Sequence, residues 1–283
     1  MLRENEYWSL NIKPHSKWYD IRLGEILNYK DLLFLFVKRD FVSAYKQTIL
    51  GPMWFFIQPI ITAITYAVIF GNLANISTDG LPQILFYLSG LTLWNYFSDT
   101  LTKTSDTFTA NASIFGKVYF PRLIVPLSVV VSNLIKLGVQ FLLFFSVWIY
   151  YLMQIDKIHP NLYILIIPFL IILMGFMGLS FGILISSMTT KYRDLKFLVT
   201  FGVQLMMYAS PIVYPLSIVP QQYKWIIVAN PVTSIIETFK YAFLGVGEFN
   251  WFYLAYSFIF TLILFFISLV IFHKVEKSFM DTV

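Results

Sequence analysis

The sequence predicts an all-α, polytopic membrane protein, and three observations lead there. Of the 283 residues, 58% are hydrophobic and only 12% are charged, far from the usage of ordinary globular domains. The apolar residues gather in stretches such as Met53–Asn72 and Trp251–Phe272, each about the 20 residues a helix needs to cross roughly 30 Å of hydrocarbon. Lys and Arg, finally, are strongly biased toward alternate loops. The apolar stretches lack the alternation of a membrane strand, so a β-barrel is not expected.

The first element is a segment spanning residues 1–52, charged throughout, whose only early apolar run is Leu32–Val37. That run is too short for a signal peptide, and no cleavable signal is expected. Within the segment, Lys30–Gln47 predicts an amphipathic helix. Phe34, Val37, Phe41, Ala44 and Tyr45 follow i, i+3, i+4 spacing on one stripe, with Arg39, Ser43, Lys46 and Gln47 on the other side. It carries too many charges to cross a bilayer and is expected to lie in the cytoplasmic interface. Gly51-Pro52 then favours a sharp turn, because proline lacks an amide hydrogen and restricts the residue before it.

Residues 53–283 read as one transmembrane domain of six helices, at about 53–72, 84–102, 123–150, 162–187, 197–214 and 251–272. An even number puts both termini on one side. Sixteen Lys and Arg fall in the N-terminal segment, the 103–122 and 188–196 loops and the C-terminal tail, against three in the loops 73–83, 151–161 and 215–250. Because cytoplasmic loops retain basic residues, both termini are expected in the cytoplasm. The net charge of +5 therefore records topology, and no nucleic-acid partner is expected. Gly175, Gly178, Gly182 and Ser186 follow one another at helical spacing in the fourth span. Small residues so placed let two helix backbones approach closely, and packing within the chain is expected.

The segment 215–250 is too long for a simple loop and too short for two spans. Its apolar pieces, Trp225–Ala229 and Val232–Leu244, lie between Pro215, Pro220, Pro231 and Gly245. A re-entrant helical hairpin at the outer end is expected, with a pair of surface-lying helices as the alternative.

The chemistry on offer is sparse. No Gly-x-x-x-x-Gly-Lys-Ser/Thr run occurs, the nearest fragment being Gly116-Lys117, so nucleotide hydrolysis has to come from another subunit. Lys136 is the one mid-span charge and Asp99 lies near the cytoplasmic end of its span. Lacking a pair of intramembrane carboxylates, the chain is a poor candidate for ion coupling, and Lys136 is expected to pair with a polar neighbour or line a wet cavity. His15, His159 and His273 are isolated, so neither an enzymatic centre nor a bound cofactor or metal is expected in this chain. The absence of cysteine excludes disulfides.

Aromatic residues make up 19% of the chain. Interfacial belts account for Trp54, Tyr150, Tyr151, Trp225 and Trp251. Tyr66, Trp94, Tyr96, Phe201 and Tyr208 recur away from the interfaces. Such rings can meet the C–H faces of sugars while Tyr and Trp offer hydrogen bonds, which makes them candidates for a glycan-tolerant lining, with ordinary helix packing as the alternative. Two polar cytoplasmic loops, Thr107–Arg122 and Thr190–Lys196, are candidate docking sites for a soluble partner. In the first, Asn111 and Ser113 are expected to cap short helices and Pro121 to restart the chain.

Five runs stand out along the chain: LFVKRDFVSAYKQTILGPMWFFIQP (Leu35–Pro59), NASIFGKVYFPRLIVPLS (Asn111–Ser128), KYRDLKF (Lys191–Phe197), SPIVYP (Ser210–Pro215) and NPVTSIIETFKYAFLG (Asn230–Gly245). In their order and placement the sequence resembles the permease subunits of bacterial polysaccharide-exporting ABC transporters of the type 2 class. O-antigen (lipopolysaccharide) exporters are the nearest in kind, teichoic acid and capsule exporters more distant. The resemblance implies a homodimer joined to two copies of a separate ATPase subunit, which would bind ATP and Mg. It implies export of an undecaprenyl-linked glycan from cytoplasm to periplasm across the bacterial inner membrane. It further implies ATPase coupling through Asn111, Ser113, Phe115 and Lys117, with Tyr192, Arg193 and Asp194 nearby. Sugar contacts would fall to Trp54, Phe55, Tyr66 and Tyr208, and a periplasmic gate to the hairpin carrying Pro215, Pro220, Pro231 and Glu237. An ABC permease for a drug or lipid would share this topology, and an ion-coupled secondary transporter is the alternative from another class.

Overall fold

The structure, a computed structural model, describes residues 23–46, 48–192 and 194–278. Gln47 and Arg193, both singled out from the sequence, lie outside the described residues, as do the side chains of Ala44 and Tyr45. Among the described residues all regular structure is helical: α1 (Leu23–Asn28), α2 (Lys30–Tyr45), α3 (Trp54–Tyr66), α4 (Gln83–Ser105), α5 (Thr107–Ala110), α6 (Ala112–Phe115), α7 (Ile124–Leu152), α8 (Ile167–Thr189), α9 (Leu195–Tyr208), α10 (Gln221–Ala229), α11 (Pro231–Leu244) and α12 (Trp251–Ser278).

Among the described residues, four continuous helical segments are long and apolar enough to cross a membrane: Gly51–Leu73, Ile124–Leu152, Leu162–Thr189 and Trp251–Glu276. The first joins a single 3-10 turn, α3 and a π-helical turn over Ala67–Leu73. The fourth-span stretch likewise begins as a 3-10 turn, Leu162–Ile166, with the Asn161 side chain accepting from Tyr163 N. Helix α9 ends at Tyr208, short of the expected 214. Its last turn closes through Ala209 N to Leu205 O, and Pro211 next along the chain has no amide hydrogen to continue it.

Helix α4 forms the centre. It packs against α8, α7, α3 and α11, and its residues Leu85–Trp94 are all buried. It is less apolar than its neighbours because it carries Ser89, Thr92, Thr100 and Thr104, each buried. Burying a hydroxyl is costly unless it is hydrogen-bonded. Ser89 Oγ donates to Phe86 O at 2.6 Å and Thr92 Oγ1 to Leu88 O at 2.7 Å, so the helix backbone meets part of that demand.

The expected small-residue face of α8 packs on α4, within the chain. A β-carbon added at Gly182 would stand 2.5 Å from Thr104 Cβ and 2.9 Å from Leu101 O, and one at Gly178 would meet Phe97 O at 3.0 Å. Tyr96 Oη covers Gly175. Only glycine permits backbones this close.

Lys136 of α7 pairs with Asp99 of α4 at 2.5 Å. The bond joins two helices at a partly buried position, in line with the structural role expected for a mid-span lysine. Beside it Asn133 accepts from Lys103 Nζ at 3.2 Å and donates to Thr100 Oγ1 at 3.2 Å.

Two apolar cores result. The larger runs through α4, α7, α8 and α11. A second gathers at the other end of the bundle around Phe36, Phe108, Phe115, Phe120, Leu269 and Phe272. It takes up one side of α2. Phe36 and Val37 are buried, whereas Phe34, expected on the apolar face, is 62% exposed together with Leu35 and Val42. The helix is apolar on two sides, and α7 covers the side of Phe36 and Val37, not that of Phe34.

At the far end, α10 and α11 form a tight pair. Asn230 caps α11 by accepting from Val232 N, and Pro231 occupies the first helical position, where its missing N–H costs nothing. Gly245 ends α11 in the left-handed region (φ 73°), and a β-carbon there would stand 2.8 Å from His159 O.

Candidate functional site

Three regions bear on function: a loop face beside the second core, an exposed aromatic surface, and a charged cluster at the α10–α11 end. The loop between α4 and α7 has distinct inner and outer sides. Phe108 and Phe115 point inward, 0% and 5% exposed, and Phe108 N donates to Ser186 Oγ of α8 at 3.2 Å. Asn111 is also buried. It stands at the start of α6 but does not cap it. Its Nδ2 donates instead to Thr107 O at 3.0 Å, and its Oδ1 accepts from Arg39 Nη1 at 3.5 Å. The capping expected of Asn111 is therefore replaced by a bond back into α5 and one to α2. Ser113 is exposed on the loop's outer side and likewise makes no cap hydrogen bond.

The outward side consists of Thr109, Ala110, Ser113 and Gly116–Tyr119. Of the expected coupling residues in this loop, Ser113 and Lys117 are available to a partner, while Asn111 and Phe115 are buried inside the chain. Val118 and Tyr119, 58% and 76% exposed, were not singled out from the sequence. Their signal is an apolar pair in a basic loop with no helical periodicity to carry it into a core.

The second loop lies alongside. Tyr192 and Asp194 are exposed, with Lys191 Nζ 5.4 Å from the Tyr192 ring centre. Lys196 and Asp106 form an ion pair at 2.8 Å, which ties the start of α9 to the end of α4, where the first loop begins. Thr189 Oγ1 donates to Ser105 O at 3.3 Å and reinforces the tie.

The aromatic candidates divide by exposure. Trp54, Phe201 and Tyr208 are 47%, 60% and 43% exposed. Phe55 and Tyr66 are half-buried, with Tyr66 Oη 3.4 Å from Met207 Sδ, bringing α3 beside α9. Trp94 and Tyr96 depart from expectation, both 3% exposed in the main core. The reason is the glycine face of α8, which draws α4 in so closely that Tyr96 fills the space over Gly175. Helices α3 and α9 are thus the least covered long apolar elements: only Pro59 and Ala63 are buried in α3, and only Val199 in α9.

At the α10–α11 end, Pro215 and Pro231 are buried and Pro220 is exposed. Glu237 and Lys240 are 2% and 1% exposed. Glu237 Oε2 accepts from Glu248 N at 3.1 Å, while its Oε1 has no partner. Lys240 Nζ donates to Pro211 O at 2.5 Å and sits 3.5 Å over the Phe86 ring. The two charges thereby fasten α11 to the segment after α9 and to the segment before α12. Lys224 and Glu248 form a further ion pair across the same end.

A bundle of long apolar helices, with an exposed loop face at one end and a helical pair at the other, has the form of a membrane transport subunit. Residues 31–244 match the ABC-2 type transporter family, and the chain belongs to that family. It is similar to two proteins of Klebsiella pneumoniae named O-antigen export system permease protein RfbA. One is 32% identical over 254 residues and the other 30% over 253, each match covering 89% of this chain and 94% of the relative. A Myxococcus xanthus protein of the same name is 24% identical over 221 residues, covering 77% of this chain and 82% of its own length.

Proposed function

We propose that this chain is the membrane subunit of an ATP-driven exporter that carries a lipid-linked polysaccharide of the O-antigen type from cytoplasm to periplasm. The likeness to two O-antigen export permeases over nearly nine-tenths of the chain supports the cargo. The observation that carries the mechanism is the bareness of α3 and α9. Their rings Trp54, Phe201 and Tyr208 lie on faces that are exposed among the described residues. In a homodimer these faces would enclose a passage whose aromatic walls can hold sugars without demanding one sequence.

In this reading α4 and α9 complete a set of six spans, both termini are cytoplasmic in the bacterial inner membrane, and α10–α11 is a re-entrant hairpin gating the periplasmic side. Helix α2 lies at the cytoplasmic interface with Phe34 and Leu35 toward lipid. Two copies of a separate ATPase subunit bind ATP and Mg and dock on the face around Ser113, Lys117, Val118 and Tyr119, with Tyr192, Arg193 and Asp194 beside it. Their closure shifts the permease only insofar as they contact its two states differently.

Deletion of the gene tests this. Surface polysaccharide is expected to disappear while lipid-linked intermediates accumulate in the cytoplasm. Unchanged surface polysaccharide would contradict the cargo.

A further inference from the structure

The loop that faces the partner is fastened on its inner side to α2, to α8 and to the C-terminal part of α12. Arg122 Nη1 donates to Glu276 O at 2.6 Å, and Glu276 Oε1 accepts from Arg122 N at 3.3 Å. Both contacts answer a need at a helix terminus. Glu276 lies in the C-terminal part of α12, toward the negative end of the helix dipole, where a guanidinium is favoured. Arg122 N lies just before α7, near the positive end of that helix, where a carboxylate is favoured. The two residues therefore join the end of α12 to the start of α7 with matched charge at each terminus.

Apolar contacts repeat the link. Phe108 of α5 stacks on Phe272 of α12, centroids 4.7 Å apart and planes inclined by 27°. The Arg122 guanidinium lies 5.5 Å from the Phe115 ring centre. The loop thus rests on α12 through Phe108 and through its exit at Arg122.

The opposite end of α12 is fastened to the α10–α11 pair. Ser257 Oγ donates to Pro231 O at 2.6 Å and lies 2.6 Å from Ser234 Oγ, and Tyr256 Oη donates to Ala229 O at 2.8 Å. The helix is unbroken from Trp251 to Ser278, and its anchors at Ser257 and Glu276 are about 30 Å apart at 1.5 Å per residue.

We infer that α12 is a rod that carries displacement of the partner-facing loop to the α10–α11 hairpin, with Arg122, Glu276 and Phe272 as the positioning residues at its cytoplasmic end. This rests on the docking role proposed for the loop and extends it with a route to the outer end. Arg122 and Phe272 act without touching cargo or nucleotide. They decide whether motion at the loop reaches the far side.

The test uses the complete permease–ATPase complex in lipid nanodiscs. The chain has no native cysteine, so Gln222→Cys at the exposed face of α10 gives a single site for an impermeant maleimide. Its labelling rate is expected to change when a non-hydrolysable ATP analogue is added. Arg122→Met is expected to abolish that change and lower export by about tenfold, while the partner's ATP hydrolysis stays within about twofold. Arg122→Lys, which keeps a cation at the end of α12, is expected to restore much of the response. Phe272→Leu breaks the ring stack independently and decides the matter where Arg122→Met does not fold. Full labelling change and normal export in both Arg122→Met and Phe272→Leu would overturn the inference, as would a labelling rate insensitive to nucleotide in the unmodified complex. A separate Lys117→Cys reporter distinguishes the docking role: if the ATPase subunit fails to shield it, docking at this loop is wrong.

Discussion

Thr104 and Gly182 meet where α4 and α8 come closest: a β-carbon added at Gly182 would lie 2.5 Å from that of Thr104. This contact fixes the central helix against its main partner and, one turn further, brings Phe108 to Ser186. Gly182→Ala is therefore expected to destabilise the protein by about 1–3 kcal/mol through overpacking. Gly138→Ala is the control, because a β-carbon there meets nothing within 4 Å and alanine is the better helix former by about 1 kcal/mol. Thermal unfolding in nanodiscs separates the two, and equal midpoints would refute the tight α4–α8 crossing.

Lys136 and Asp99 make the second prediction. Lys136→Met strands a carboxylate whose side chain is only 30% exposed, and a loss of about 1–3 kcal/mol is expected for a pair intermediate between surface and interior. Adding Asp99→Asn to that variant removes the stranded charge and should recover more than half of the loss. A double variant no more stable than Lys136→Met would show that the bond contributes nothing.

Gly245→Ala is expected to cost about 2 kcal/mol or more. It forces an L side chain into the left-handed region and against the carbonyl of His159, 2.8 Å from the new β-carbon. Because α11 sits in the main core, the loss should appear both in the unfolding midpoint and in faster proteolysis of the α10–α11 pair. Wild-type behaviour in both assays would mean that this end is not packed as described.

The outward loop face predicts a binding defect without a folding defect. Lys117→Glu and Tyr119→Ala are each expected to weaken association with the ATPase subunit by about 1–2 kcal/mol and to lower export, with membrane insertion and thermal stability unchanged. Phe115→Ala should do the reverse first, lowering stability because that ring is buried with Phe108 and Phe120. Co-purification of the ATPase at graded concentrations measures the difference. Undiminished association in both surface variants would remove this loop from the docking face.

What the sequence disclosed depended on whether a signal was local. Span-length hydropathy located Ile124–Leu152 and Leu162–Thr189 within a few residues, and glycine spacing identified the packing face of α8. The proline and glycine punctuation around 215–250 anticipated α10 and α11. Which side of an aromatic-rich helix turns inward was not local. Trp94 and Tyr96 were indistinguishable from Tyr66 and Tyr208 until the α8 glycines drew α4 into the centre. For the same reason the second apolar side of α2 went unread: α7 covers Phe36 and Val37, while Phe34, on the stripe expected at the interface, is exposed. The bond from Arg122 to Glu276 joins residues 154 positions apart, and no spacing rule reaches across that distance.

In the proposed function, this chain forms the path for a lipid-linked glycan only when an ATPase subunit drives it. The most direct measurement is translocation in proteoliposomes containing the purified chain, its ATPase subunit and a lipid-linked polysaccharide. Glycan is expected to become accessible on the far side of the bilayer on addition of ATP and Mg, and not when the ATPase subunit or ATP is omitted. Movement driven by an ion gradient with the ATPase subunit absent would contradict the account.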